Sequence, residues 1–225
     1  MRLSIEPGDL SSYVAGQVSD FFPDSTVAPS DLSGFVDKAL ERLEFSFSRI
    51  RMKYYFEDGT TVFNHLNTNQ YASFLYFLCN TLFQEKAEVS LAEKIFALNK
   101  SLHGLDVFYE VEMPDVFLLV HPVGAVLGRA KYGDFLCVYQ GCSVGADLED
   151  VYPTLGEGVV LYGGSRVIGN SRIGDNCWIA PNAVILNAEV PSNSIAFGLP
   201  PNMETKPARN NVRKKIFGTE GTEND

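Results

Sequence analysis

The pattern of apolar and polar positions changes once along the 225-residue chain, close to Gly104. Before that point apolar residues recur at helical spacing. Leu32, Phe35, Val36, Ala39, Leu40 and Leu43 share one face, with Lys38, Glu41 and Arg42 opposite and Ser30 placed as an N-cap, so the spacing predicts an amphipathic helix. A second helix is predicted from about Gln70 to Glu85. Its charge-free stretch YASFLYFLCNTLF falls short of the ~20 residues that cross a bilayer, which makes it a buried helix. A third, LAEKIFALNKSL, stops at His103-Gly104, and YYFEDGTTVF predicts a hairpin turning at Asp58-Gly59.

After Gly104 the period becomes six. Leu155, Leu161, Val167, Ile173, Ile179 and Ile185 stand at every sixth position, and the small residues Ser165, Ser171, Cys177 and Ala183 follow the middle four of them by four places. Counting back from Val144 gives Val138, Tyr132, Val126 and Val120, with Pro114 and Phe108 beyond. The step from Val144 to Leu155 exceeds one hexad by five residues, so a loop is predicted within GADLEDVYPT. A fixed short period stacks as coils of a β-solenoid, each burying its aliphatic residues against the next. Chance alternation in a β-sandwich is the competing reading, and six consecutive hits in phase weigh against it. The predicted fold class is α+β: a mainly helical N-terminal domain over 1–104, a hexapeptide-repeat solenoid over 105–200, and a C-terminal tail over 201–225 whose last stretch, GTEGTEND, has the composition of disorder.

Charge narrows the partners. With 18 Lys plus Arg against 28 Asp plus Glu, the net charge of −10 repels phosphate backbones and anionic lipid surfaces, so neither nucleic acid nor membrane insertion is expected. The four cysteines include no CxxC pair and read as small buried hydrophobes in a reducing compartment. The N-terminus MRLSIEPGDL lacks the apolar core of an export signal, and a cytoplasmic location is expected.

Only three histidines occur, and one of them, His121, lies in the apolar run LLVHPVGAVLG. Together VHPVGAVLG, VYQGCSVGA and YPTLGEGVVLYGGSRVIGNSRIGDNCWIAPNAVI make the chain resemble the hexapeptide-repeat acyltransferases, and within them the serine acetyltransferases, over roughly residues 62 to 200. The resemblance implies a left-handed parallel β-helix, a homotrimer with pairing of trimers left open, and transfer of acetyl from acetyl-CoA directly to a hydroxyl, with no metal. It implies His121 as general base and Asp106, fifteen residues earlier and expected two coils upstream, as the carboxylate that orients it. An alcohol must lose its proton as it attacks a thioester, and a neutral imidazole steadied by a carboxylate on its far nitrogen suits that task. His65 and His103 match no catalytic position and are expected as surface or capping residues.

For acetyl-CoA the resemblance implies a groove walled by Gly163, Gly164 and Ala180, with backbone N–H groups of Gly141 or of the Gly163-Gly164 pair as oxyanion donors. Lys206 and Arg209, in a basic cluster with Arg213, Lys214 and Lys215, are candidates to neutralise its phosphates, a solvated tail being the bland alternative. The acceptor side departs from the family pattern. Val120 stands where the family has an aspartate, Val151 and Tyr152 where it has an Arg-His pair, and Glu149 and Asp150 adjoin them. L-serine is the acceptor by resemblance. Tyr152, Glu149 and Asp150 also suit a sugar or surface-polysaccharide hydroxyl, the second reading. A non-catalytic scaffold is the third. A γ-type carbonic anhydrase, which needs three histidines in the solenoid, finds one here.

Overall fold

The computed structural model describes residues 1–218. Its helical part contains α1 (Pro7–Phe21), α2 (Ser33–Phe47), α3 (Thr68–Gln84) and α4 (Val89–His103), joined by a small sheet of β1 (Arg2–Leu3), β2 (Phe56–Glu57) and β3 (Thr60–Phe63) with β3 central. The β2–β3 hairpin turns as predicted at Asp58 and Gly59, whose φ angles of +52° and +73° give the mirror-image turn that matches strand twist. Helix α2 buries Val36, Ala39, Leu40 and Leu43. It begins at Ser33, and Ser30 does not cap it: Pro29 leads a short 3-10 turn over Pro29–Asp31, in which the Asp31 carboxylate accepts the Ala28 N–H at 2.9 Å. Helix α3 is buried on all sides from Gln70 to Leu82, packed between α2, α4 and the first solenoid strand. Helix α1, which the apolar spacing did not single out, buries Leu10, Val14 and Val18 against α2 and α4.

Helix α4 ends where glycine allows the left-handed turn, at Gly104 with φ +62°. His103, expected near the surface, is buried 2.8 Å from the Asn99 Oδ1 and edge-on to Tyr71, because α3 and α4 form an antiparallel pair that encloses it. Loss of hydration holds its imidazole below the ordinary histidine range. His65 lies nearer the surface, its ring bonded to the Ser4 hydroxyl at 2.8 Å.

The solenoid has three parallel faces. The first stacks β4 (Phe117–Val120), β7 (Leu136–Tyr139), β10 (Val159–Leu161), β13 (Cys177–Ile179) and β16 (Ser194–Phe197). The second stacks β5 (Val126–Leu127), β8 (Ser143–Gly145), β11 (Arg166–Ile168) and β14 (Val184–Leu186), and the third β6 (Lys131–Tyr132), β9 (Thr154–Leu155), β12 (Arg172–Ile173) and β15 (Glu189–Val190). This is the left-handed parallel β-helix that was expected. The hexad residues Leu155, Leu161, Val167, Ile173, Ile179 and Ile185 point into it, none more than 3% exposed. The five extra residues bulge after β8, in the loop 146–153. All four cysteines are buried and free.

Three predicted anchors, Val126, Val120 and Phe108, fail below Tyr132. Val126 is 44% exposed, and the inward positions are instead Leu127 and Leu119, each 1% exposed. The cause is a step of eight residues from Leu119 to Leu127 and one of five from Leu127 to Tyr132, where the steps from Tyr132 to Val144 and from Leu155 to Ile185 are six. Phe108, the furthest extrapolated anchor, is also exposed and packs edge-on to Phe96 of α4.

The outward residues of the first face do not meet water: Leu118, Cys137 and Val160 are at most 2% exposed. The helical part covers them, the Ser46 hydroxyl of α2 bonding both the N–H and the C=O of Phe117 at 3.2 Å. The predicted tail is folded as far as it is described. β17 (Glu204–Pro207) runs antiparallel beside β16, and α5 (Val212–Ile216) leads to Phe217, buried against Phe135 and bridged to Ile50. The disorder expected in GTEGTEND falls, beyond Gly218, outside the described residues. No helix among the described residues is long and apolar enough to cross a membrane.

Ile179 lies between Leu161 below and Ala196 above. Its replacement by alanine is expected to cost about 2–5 kcal/mol in denaturant unfolding. For His103 the sign follows from burial of the neutral ring. The unfolded chain binds the proton more readily, so stability falls as pH drops through the ordinary histidine range towards the lower folded value. The unfolding midpoint should therefore fall less between pH 7.5 and 5.5 in His103→Gln than in the unaltered chain.

Candidate active site

His121 sits at the corner between the first and second faces. Because Val120 pairs with Tyr139 and Val126 with Ser143, five residues (His121 to Ala125) turn this corner where three (Gln140 to Cys142) turn the one above. The wider corner carries His121 outward, and it is exposed. Its φ of +48° is the left-handed conformation, unfavourable by about 1–2 kcal/mol outside glycine. Three contacts fix it there. The His121 carbonyl accepts the Val123 N–H at 2.8 Å across Pro122, the Pro122 carbonyl accepts the Ala125 N–H at 3.0 Å, and the Asn69 Oδ1 of α3 accepts the His121 N–H at 3.1 Å. The imidazole itself has no hydrogen-bond partner among the described residues.

Asp106 lies in the coil directly beneath, one coil away and not the two expected. It forms a parallel bridge with Val126, and the Gly104 carbonyl accepts the Gly124 N–H at 2.9 Å, so the His121 corner stands on residues 104–106. Its carboxylate is not hydrogen-bonded to the His121 ring. Asp106 Oδ2 accepts from Lys100 Nζ of α4 at 2.6 Å, with side chains 31% and 54% exposed. At that exposure the pair contributes on the order of 0–1 kcal/mol and is readily exchanged for another donor.

The six candidate acetyl-CoA residues separate into two sets. Ala180, Lys206 and Arg209 come together with Tyr162, Trp178 and Pro181 around a largely apolar groove of about 820 Å³, formed where β17 and the residues after it lie over the first face. Tyr162 stacks on Trp178 at 6.1 Å, and the buried Trp178 Nε1–H has no acceptor among the described residues. An apolar trough with two cations has the chemistry to take a thioester-bearing arm and its phosphates. Gly141, Gly163 and Gly164 lie on the corner column beside it. The N–H groups of Gly141 and Gly164 are already spent on the Val123 and Gln140 carbonyls, at 3.0 and 2.9 Å, because each corner is bonded to the one below. Gly163 N–H donates to no acceptor among the described residues. At Gly164, φ +75°, a Cβ would fall 2.2 Å from the Asn182 Oδ1, so a side chain there is strained and would have to displace the Asn182 amide.

The three acceptor candidates Glu149, Asp150 and Tyr152 all lie exposed on the loop 146–153. Asp147 shapes that loop, its Oδ1 accepting the N–H groups of Glu149 and Val151 at 3.0 and 3.1 Å. Sequence reasoning found no cation here, yet Arg129 reaches the loop: it pairs with Glu110 at 2.8 Å, and Glu110 first and then Tyr152 hold its guanidinium above the usual range. Asn69, Lys100, Arg129 and Trp178 were all missed. Only the placement of Lys100 in the last turn before Asp106 gave any local signal. Among the described residues no cluster of His, Cys, Asp and Glu could hold a metal ion.

Residues 152–187 match the family model for the bacterial transferase hexapeptide, six repeats. A serine acetyltransferase of Staphylococcus xylosus is 28% identical over 134 residues, which cover 58% of this chain and 61% of that one; the chain thus spans about three fifths of this curated relative. Among solved structures, a serine acetyltransferase of Brucella abortus in complex with coenzyme A is similar with a TM-score of 0.70 and 19% identity, covering 92% of this chain and 84% of the other. One of Neisseria gonorrhoeae in complex with serine has a TM-score of 0.66 and 20% identity, covering 88% and 83%. At these identities the structural likeness is one of fold. In sequence the chain is similar to the serine acetyltransferases, in fold it matches their solved structures, and its residues 152–187 carry the bacterial transferase hexapeptide.

Proposed function

We propose that the chain is an acetyl-CoA-dependent O-acetyltransferase that moves acetyl directly to the hydroxyl of a small acceptor, L-serine by similarity to its relatives. One observation carries the reading: His121, exposed with an unpartnered ring, shares a single solenoid edge with the groove of Lys206 and Arg209. Register makes His121, Gln140, Gly163 and Pro181 one corner column, and Pro181 lines the groove. Three coils separate the two ends, roughly 14 Å at ~4.8 Å per coil. An extended pantetheine arm covers such a span, its phosphates at Lys206 and Arg209 and its thioester at His121.

In this mechanism neutral His121 takes the acceptor hydroxyl proton as the oxygen attacks the thioester carbonyl. The tetrahedral intermediate carries its negative charge on the former carbonyl oxygen. It collapses with cleavage of the carbon–sulfur bond, and the imidazolium returns the proton to the departing thiolate. Asp106 serves the imidazolium stage. Its exposed pair with Lys100 is weak enough for the carboxylate to turn to the charged ring as that charge forms. Arg129 beside Tyr152 supplies a cation for an acceptor carboxylate, which favours an amino acid. The carboxylates of Glu149 and Asp150 on the same loop suit sugar hydroxyls, the second reading. The exposed Val126 and Leu186 of the second face support a homotrimer closed around the solenoid axis.

Thiol release from acetyl-CoA against serine, other amino acids and saccharides tests the proposal. Release with serine alone removes the sugar reading, and absence of release with every acceptor leaves a scaffold. His121→Ala is expected to lower turnover about 10²–10⁴-fold while coenzyme A binding, measured by calorimetry, is unchanged. Charge reversal of both Lys206 and Arg209 to glutamate is expected to weaken that binding by about tenfold or more, with a reduced dependence on salt.

A further inference from the structure

We propose that Asn69 and Lys100 are positioning residues that clamp the catalytic pair, Asn69 through the backbone of His121 and Lys100 through the carboxylate of Asp106. The inference rests on the functional reading above and assigns the helical part a share in the reaction. Helices α3 and α4 run antiparallel, which brings the first turn of α3 and the last turn of α4 to one end. That end is bolted together from within. Asn99 Nδ2 donates to the Ala72 carbonyl at 3.0 Å, His103 bonds Asn99, and Tyr71 closes edge-on over His103. From this rigid end two polar side chains reach the solenoid, Asn69 and Lys100, and each touches one member of the pair.

The contacts differ in kind. His121 precedes a proline and holds φ +48°, a conformation that persists only where its surroundings over-determine it. Asn69 Oδ1 is the single acceptor its N–H finds among the described residues, and the backbone of Asn69 is fixed because its own N–H donates to the N-cap side chain of Asn67 at 3.2 Å. Without that acceptor the corner can leave the left-handed region, and the imidazole swings with its backbone. Lys100 holds the Asp106 carboxylate in an ion pair at 2.6 Å, in the coil beneath the corner, until the imidazolium claims it.

The test uses the full chain and four variants, Asn69→Ala, Asn69→Asp, Lys100→Ala and Lys100→Arg, assayed at a pH where His121 is neutral in all. Asn69→Ala is expected to lower kcat by about 10–100-fold with KM for acetyl-CoA within about twofold, since misplacing a catalytic group acts on the chemical step. Asn69→Asp, which keeps the acceptor oxygen, should restore most of kcat, and Lys100→Arg should likewise recover what Lys100→Ala loses. Amide hydrogen exchange at His121 gives a reading independent of turnover, and it should quicken in Asn69→Ala but not in Lys100→Ala. A kcat for Asn69→Ala within twofold of the unaltered chain overturns the clamp, as does unchanged exchange at His121 or an Asn69→Asp variant no better than alanine. Absence of turnover in the unaltered chain would instead count against the proposed function, and the exchange measurement would still decide the clamp.

Discussion

Six residues per side is the constraint from which the rest of the molecule follows. A coil that meets it places one aliphatic side chain per face inside and lets every strand bond the strand below, as Leu161, Val167 and Ile173 do in turn. Chemistry is placed where the chain departs from it. The two additional residues at the His121 corner lift the imidazole off the column, and the five additional residues after β8 make the loop that carries Tyr152. The regular coils hold these departures still, because one N–H of each successive corner, of Gly124, Gly141, Gly164 and Asn182, is bonded to a carbonyl one coil lower. A catalytic constellation needs such rigid support more than it needs any particular fold.

The helical part and the solenoid share one core. Phe117 of the first coil packs against Tyr76 and Phe77 of α3 while Ser46 of α2 satisfies its backbone. A solenoid face covered in this way is left with two free faces, which is the number a closed ring of copies uses. The same covering brings α3 and α4 within reach of the His121 corner, so the device that buries an apolar sheet face also supplies polar contacts to the site.

Legibility in the sequence tracked the reach of each signal. The hexads from Leu155 to Ile185 were readable because every residue obeys one local period, and α2, α3, α4 and the Asp58-Gly59 turn were readable for the same reason. Register failed at Val126 because a count of six continues blindly through a corner that the chain widens. Candidate site residues that rest on motif, His121 and Asp106, could be named in advance, whereas Asn69 could not: its contact with His121 spans 52 residues and two architectures and leaves no pattern in either. Arg129 escaped because its partner Glu110 lies one coil away, and Ser30 misled because Pro29 opens a separate 3-10 turn ahead of α2.

The strand that reverses direction at the C-terminus has a bearing on how the molecule lives among its copies. A parallel stack of coils has no intrinsic stopping point, and its last strand offers a row of unspent donors and acceptors to any extended segment that comes by. β17 fills that row from the opposite direction, pairing Ser194 through Phe197 with Glu204 through Pro207, and presents a lysine and a proline outward in its place. On that face the chain's own return stroke thereby takes the place that a strand of another copy would need.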